Sequence, residues 1–154
     1  MNRYIGLLLL LTISACTPQA TPRDPYSVPF TEAQPEIIGQ LLQPFKTTLE
    51  NTGVTLSTEN AKAFRYDGTA DTAFLAAIDR FYLENPGYCP LEKAFYYAEN
   101  KTTLMTLAAK PNTTLIKAFI YDLASRPKFV FTYLSGSSRT PQKTAPCRAT
   151  TGTP

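Results

Sequence analysis

Histidine and tryptophan are both absent from this chain of 154 residues, and glycine is scarce, with seven residues. Without histidine the most common general base is missing, and so are Ser-His-Asp and Cys-His catalytic arrangements and histidine-ligated zinc sites. The sequence also contains no glycine-rich phosphate loop, no calcium loop and no Cys-x-x-Cys motif. These absences exclude most hydrolase mechanisms, and we predict no catalytic residue, metal or cofactor.

A pair of carboxylates can cleave a glycan without histidine. The candidate pairs are Glu92 with Glu99 and Asp67 with Asp71. All four carboxylates fall at predicted hairpin and turn positions. A carboxylate at such a position is ordinarily a solvated surface charge and not a catalytic group. We therefore expect that the protein is not an enzyme.

The apolar run at residues 5–11 is only about half the length of a membrane-spanning helix, which needs roughly 20 residues. It follows Arg3 and precedes a short stretch of small residues, an order typical of a secretory signal. Residues 13–16 read Ile-Ser-Ala-Cys and resemble the lipobox of bacterial lipoproteins, in which an aliphatic residue and two small residues precede a cysteine. The alternative is an ordinary signal peptide that ends near a chance cysteine.

The lipobox resemblance implies that residues 1–15 are a signal peptide and that Cys16 receives a lipid anchor of two or three acyl chains, such as palmitate. Two or three chains hold a protein on a membrane almost permanently, whereas one does not. In many Gram-negative bacteria, lipoproteins that are retained at the inner membrane have Asp after the lipidated cysteine. This chain has Thr17 at that position and does not resemble them. We therefore expect the periplasmic face of the outer membrane, with the inner membrane as the alternative.

The charge of the chain is small and unevenly distributed. Its formal value of +3 becomes +2 when Arg3 leaves with the signal, which gives no indication of a nucleic-acid partner. No acidic residue follows Asp122, whereas five basic ones do. They are Arg126, Lys128, Arg139, Lys143 and Arg148. This basic part either attracts anionic envelope material or is simply a solvated tail.

Two cysteines remain after Cys16 is lipidated, and the envelope oxidises thiols. A disulfide between Cys89 and Cys147 would close a loop of about 59 residues and stabilise the fold by roughly 4 kcal/mol. The alternative is that one of these cysteines pairs with another protein.

Residues 16–30 are rich in proline and predict an extended tether that reaches roughly 40 Å from the membrane at about 3.1 Å per residue. Tyr26, Val28 and Phe30 interrupt its polarity. They would either add a strand to a partner's sheet or dock on the protein's own domain. Residues 135–154 are small and polar and predict a flexible tail that the disulfide pins.

Residues 31–134 predict a single α+β domain with a small mixed sheet and two helices on one face, preceded by an amphipathic helix. That first helix runs from a capping box at residues 31–34 to Gly53 and is kinked or divided at Pro44. The other predicted elements, in order, are strands at 54–57 and 61–66, a helix from Thr69 or Asp71 to Glu84, a hairpin of 91–99 and 102–109, a helix at 114–125 and a strand at 128–134. The alternation at 114–125 also fits a strand, but its length favours a helix.

The order strand-helix-strand-strand-helix-strand on a lipidated tether resembles the small amino-terminal domain of secretins and TonB-dependent signalling receptors, which also occurs in some type IV secretion lipoproteins. Residues 103–115, in which a strand leads into a capped helix, carry this resemblance. The amphipathic helix before them is not part of that pattern. The resemblance implies an assembly component of an outer-membrane secretion or conjugation complex.

Tyrosine and phenylalanine are abundant, with nine residues each, and the tyrosine hydroxyls cannot all be satisfied inside so small a core. We expect Tyr96 and Tyr97 in the predicted hairpin to be exposed beside a sheet edge and to bind a protein partner. Their rings would otherwise cover the core while the hydroxyls reach solvent. The other hypotheses are a binding module for a small ligand or glycan and a shielding or exclusion lipoprotein.

Overall fold

The structure is a computed structural model that describes residues 24–68, 70–123 and 129–147. It contains seven strands and three α-helices, with a short 3-10 turn at Gln43–Phe45 between the first two helices. The elements in order are β1 (Thr31–Ala33), α1 (Glu36–Leu42), α2 (Lys46–Thr52), β2 (Val54–Ser57), β3 (Ala63–Tyr66), α3 (Ala70–Glu84), β4 (Cys89–Tyr97), β5 (Thr103–Ala109), β6 (Leu115–Asp122) and β7 (Phe129–Ser138). The prediction of an α+β fold is confirmed.

All seven strands form one sheet in the order β1-β3-β7-β6-β5-β4, and β2 pairs with β7 beside β3. Every pairing among the described strands is antiparallel. The sheet is therefore not the mixed sheet that the sequence predicted. Parallel neighbours need a long crossover connection, usually a helix. Here β4, β5, β6 and β7 follow one another directly, which gives a run of antiparallel neighbours.

The predicted helix at 114–125 is wrong, because residues 115–122 form strand β6 in the middle of the sheet. Ile116, Ala118 and Ile120 point to one face of the sheet, and Phe119 and Tyr121 point to the other. Both faces are covered, so the strand reads as a nearly continuous apolar run that periodicity cannot distinguish from a buried helix. The element order on which the secretin-domain resemblance rested is therefore not the one in the structure.

The α1–α2 pair and α3 lie on opposite faces of the sheet. The two helices that we expected on one face were α3 and the helix at 114–125, and the second of these is strand β6. The α1–α2 pair buries Ile38, Leu41 and Leu49 against one face. Gly53 ends α2 in the left-handed conformation, with φ +72°, as a helix-terminating glycine should. Helix α3, which the sequence predicted well, covers the other face. The result is a three-layer arrangement with the sheet in the centre.

Aromatic rings fill the layer between α3 and the sheet. Phe119 is fully buried at its centre. Its ring centroid lies 5.1–6.4 Å from five other rings. They belong to Phe74, Phe81, Tyr121, Phe131 and Tyr133. The Tyr133 hydroxyl donates a hydrogen bond to the carbonyl of Ala77, 2.8 Å away, and so attaches α3 to β7.

Residues 135–147 extend strand β7 and then bridge to β4, where the sequence predicted a flexible tail. Strand β7 continues to Ser138, where it pairs with both β2 and β6. Thr144 then bridges to Leu91, and Cys147 is disulfide-bonded to Cys89. The predicted intramolecular disulfide is confirmed. Residues 148–154 lie outside the described residues.

Because two tyrosine hydroxyls are buried, we predict that the free energy of unfolding decreases at alkaline pH. Burial, with a smaller contribution from Tyr97, raises the pKa of Tyr121 from about 10 to about 12, and burial raises the pKa of Tyr133 still further. The unfolded chain therefore releases these protons near pH 10, while the folded chain keeps them. The free energy of unfolding should fall from about pH 10 upward, as far as the folded pKa values.

Denaturant unfolding of wild type and Tyr121→Phe, measured at several values between pH 9 and 12, checks this expectation. The variant should lose less stability over that range than wild type does. Identical slopes for the two proteins would show that Tyr121 does not contribute.

Candidate functional site

Strand β4 forms one edge of the sheet, and within the described part of the chain only its first residues have a partner on the outer side. Its inner side pairs with β5 through Pro90 and again from Phe95 to Tyr97, with a bulge between. On the outer side the amide of Ala145 donates to the carbonyl of Pro90 at 2.8 Å, and Thr144 bridges to Leu91. The disulfide fixes this end of the carboxy-terminal segment. Among the described residues, the outer edge at 93–97 carries no paired strand, and we call it the open edge.

The main-chain groups of Phe95 and Tyr97 point outward at the open edge. The amide of Ala98 donates to the carbonyl of Thr103 at 2.9 Å, so Ala98 faces β5. Residues of an antiparallel ladder alternate in the side to which their N–H and C=O groups point. The main-chain N–H and C=O groups of Tyr96 therefore also point to β5. Those of Phe95 and Tyr97 point outward and can pair with a further strand.

The side chains of the open edge are unusually apolar for a surface. Phe95 is 56% exposed and Tyr97 is 68% exposed. Both project to the side of the sheet that α3 covers further along, because Tyr97 pairs with Leu104, which belongs to the core under α3. Tyr96 points to the opposite face, where it packs partly against the α1–α2 core. An exposed edge with adjacent aromatic side chains is a template for strand addition by another chain.

The hairpin turn after β4 is held firmly in place. The Asn100 side-chain oxygen accepts hydrogen bonds from the amides of Thr102 and Thr103, both at 3.0 Å, and Lys101 adopts a positive φ. This fixed turn ends the open edge on one side, as the disulfide-bonded segment ends it on the other. The open edge is therefore held in shape without a partner.

The three aromatic or apolar residues of the predicted tether lie against the protein's own domain. The Phe30 ring packs 4.8 Å from that of Phe131, and Val28 lies against the same aromatic core. The Arg80 guanidinium lies 4.9 Å from the centroid of Tyr26, which remains 55% exposed. Desolvation and then the Glu84 carboxylate raise the pKa of Tyr26. Docking on the domain is thus the arrangement that the structure shows for residues 24–30.

A second surface feature is a basic cluster around Tyr88. The ammonium nitrogens of Lys110 and Lys117 lie 5.5 Å and 5.8 Å from the centroid of its ring. Lys117 also donates a hydrogen bond to the hydroxyl of Ser135. Lys143, in the predicted basic tail, instead forms an ion pair with Glu92 at 3.9 Å. The other predicted basic residues at 126, 128 and 148 lie outside the described residues.

Glu92 is ion-paired with Lys143, and Asp67 with Arg65 at 3.9 Å, so one carboxylate of each candidate pair is engaged by a cation. No group of acidic or cysteine side chains that could hold a metal occurs within 24–68, 70–123 and 129–147.

Three surface clefts lie beside the α1–α2 pair, away from the aromatic core. The one next to the open edge has a volume of about 540 Å³ and is open to solvent. Its lining residues are Pro44, Thr47, Thr48, Tyr97, Ala98, Glu99 and Asn100. It has a single aromatic side chain, so it is not the closed aromatic pocket that a ligand-binding module would require.

The predicted lipidation site, Cys16, lies outside the described residues, as does the rest of 1–23. In the described part of the chain no helix combines the length and apolar character needed to cross a membrane. Comparisons with known protein families, with curated proteins and with solved structures found no match to the chain.

Sequence reasoning identified Tyr96 and Tyr97 as edge residues but missed Phe95, which the structure places at the centre of the open edge. Its position was visible in the alternation of the strand, where Phe95 and Tyr97 share a face. The missing information was which side of the hairpin would be the sheet edge. That depends on pairing between strands far apart in the sequence.

Proposed function

We propose that the protein is an exported envelope lipoprotein that acts by contact with another protein, through addition of a partner strand to the open edge of β4. The observation that carries this proposal is the unpaired edge at 93–97, with Phe95 and Tyr97 exposed beside it. Main-chain hydrogen bonds would provide affinity, and the two aromatic rings would provide specificity.

The lipobox at residues 13–16 supports a location on the periplasmic face of the outer membrane. The partner that we favour is a component of an outer-membrane assembly. A secretion or conjugation complex is one such assembly, although the strand-to-helix order at residues 103–115 that suggested it is not the order in the structure. A shielding lipoprotein would use the same kind of surface but would bind a single outer-membrane barrel.

Lipid anchoring predicts that Cys16→Ser moves the protein out of the membrane fraction, because no acyl chain can then be attached. Thr17→Asp should instead leave the protein on a membrane but shift it from the outer to the inner one. Thr17→Ser is the matched control and should keep the wild-type distribution. Fractionation of the envelope with detection of the protein checks all three variants, and a membrane-bound Cys16→Ser protein would contradict the anchor.

Strand addition predicts that Tyr97→Pro loses the partner. The amide of Tyr97 points outward, so proline removes a donor to the incoming strand and keeps the pairing with β5. Tyr97→Ser also lacks the ring but keeps the amide. The difference between the two variants therefore isolates the main-chain hydrogen bond, worth roughly tenfold in affinity.

The measurement is recovery of partner proteins from detergent-solubilised envelopes with each variant. Several recovered components would indicate an assembly role, and one barrel protein would indicate a shielding role. Equal recovery by Tyr97→Pro, Tyr97→Ser and wild type would contradict strand addition at β4.

A further inference from the structure

The chain enters the described structure beside the last turns of α3. The hydroxyl of Tyr26 donates a hydrogen bond to the Glu84 carboxylate at 3.4 Å, and the Arg80 guanidinium lies 4.9 Å from the centroid of the same tyrosine ring. Asp24 is eight positions after Cys16, so an extended chain between them spans at most about 28 Å. A lipid on Cys16 therefore holds the carboxy-terminal end of α3 close to the bilayer.

The basic cluster around Tyr88 lies at this same end of the molecule. A connection of four residues leads from α3 to Cys89, the first residue of β4. Cys89 pairs with Ala109, so β4 begins where β5 ends, and Lys110 follows directly. Lys117 is the partner of residue 108 on the other side of β5. The entry of the chain and the two lysines thus flank the same end of α3.

The ammonium groups of these two lysines have no acidic partner within the described residues. Both lie over the partly buried ring of Tyr88, at 5.5 Å and 5.8 Å from its centroid. Glu84, the acidic residue that ends α3, is instead paired with Arg80 at 3.6 Å. Two positive charges are therefore held together on one aromatic ring and are available to an anionic partner.

Exposed apolar side chains accompany this charge. Six large apolar side chains are exposed in the described part of the chain, and three of them lie at this end of α3. They are Tyr26 at 55%, Leu83 at 49% and Leu115 at 45%. Leu115 is two residues before Lys117 on β6, so both project to the same side of the sheet. Apolar side chains that enter the headgroup layer, beside lysines that reach lipid phosphates, are typical of a surface that lies on a membrane.

We propose that this end of the molecule is a membrane face, which lies on the bilayer and binds the phosphate groups of anionic phospholipids. Its residues are Tyr26, Leu83, Tyr88, Lys110, Leu115 and Lys117. The inference uses the lipid anchor of the proposed function but concerns a surface other than the open edge. Both the short chain to Cys16 and the unpaired positive charge favour a lipid surface over any other occupant.

The membrane face also orients the open edge. Strand β4 begins at the membrane face and runs away from it toward Tyr97. The β5 partners of Cys89 and Tyr97 are Ala109 and Leu104, which are five positions apart, or roughly 17 Å along the strand. The exposed rings of the open edge are thus held away from the lipid surface, where another envelope protein can reach them.

A fluorescent label on a single introduced cysteine tests contact with the bilayer in the full-length lipidated protein. Leu115→Cys places the label on the membrane face, and Leu75→Cys places it at a similarly exposed site, 43%, in the first half of α3. The native cysteines at 89 and 147 are bonded to each other, and the lipid blocks Cys16. Vesicles contain a headgroup quencher and either phosphatidylcholine alone or an equimolar mixture with phosphatidylglycerol.

In the anionic vesicles the label at position 115 should be quenched several-fold more strongly than the label at position 75. Phosphatidylcholine alone should remove most of this difference. Lys110→Gln/Lys117→Gln should weaken the contact roughly thirtyfold, about fivefold for each lysine. The matched control Lys110→Arg/Lys117→Arg keeps both charges and should keep the quenching. Sodium chloride should release the face by screening, and inorganic phosphate at equal ionic strength should act no more strongly.

Quenching that is stronger at position 115, and that requires both anionic lipid and the lysines, supports the membrane face. Equal quenching at both positions, or quenching at 115 that is independent of anionic lipid, overturns it. Release by inorganic phosphate at a concentration where sodium chloride has no effect also overturns it, in favour of a site for free phosphate.

Flotation of the same vesicles separates this inference from the proposed function. Protein that floats with the vesicles but shows no difference between the two labels overturns the membrane face and leaves the lipid anchor standing. Protein that does not float contradicts the anchor and, with it, the membrane face. Partner recovery by the Tyr97 variants tests the open edge independently of either result.

Discussion

Removal of the Cys89–Cys147 disulfide should lower the free energy of unfolding by about 4 kcal/mol. The bond joins residues separated by 58 positions, so without it the unfolded chain gains the entropy of a long loop. A small domain has only about 5–15 kcal/mol of stability in total. The double variant Cys89→Ala/Cys147→Ser removes the bond without leaving a free thiol, and denaturant unfolding measures the loss.

Wild-type protein in a reducing buffer is the matched control and should lose a similar amount. The amide of Ala145, which now donates to Pro90, should also exchange its hydrogen much faster in the variant, because the carboxy-terminal segment is no longer held on β4. A variant within about 1 kcal/mol of wild type would show that the loop is restrained by other contacts.

Phe119→Ala should destabilise the protein by about 3–5 kcal/mol, the range for a large buried aromatic residue. Its ring is fully buried and touches five others, so the cavity lies at the centre of the layer under α3. Phe95→Ala makes the same chemical change at a site that is 56% exposed, and it should cost less than about 1 kcal/mol. Thermal or denaturant unfolding compares the two variants.

The same pair of variants separates folding from function. Phe95→Ala should bind its partner less tightly while it remains folded, because it lacks one of the two exposed rings of the open edge. If Phe95→Ala is as destabilised as Phe119→Ala, Phe95 belongs to the core and the open edge is misassigned.

Local signals in the sequence predicted much of the fold. Helix α3 follows a turn, keeps Phe74, Ile78 and Phe81 on one side and stops at Asn85-Pro86-Gly87. The β4–β5 hairpin and the α2 end at Gly53 were also predicted, because the residues that determine each lie within a few positions of one another. The disulfide followed from the number of cysteines.

Features that depend on distant residues were not predictable in the same way. Strand β6 has both faces buried, one by α1–α2 and one by α3, so its pattern did not alternate between polar and apolar residues. Ser135 to Ser138 look like part of a polar tail, but they complete β7 because β2 and β6 pair with it on both sides. The open edge likewise depends on where the disulfide-bonded segment stops along β4.

The most direct test of the proposed function places a photo-crosslinking amino acid at Tyr97 in the full-length protein, in its native envelope. The same substitution at Leu83, a similarly exposed site on α3 at 49%, is the matched control. Irradiation should give a defined protein adduct at position 97 and none at position 83, and mass spectrometry would identify it as a second copy or another envelope protein. The absence of any protein adduct at position 97, or the same adducts at both positions, would contradict the account.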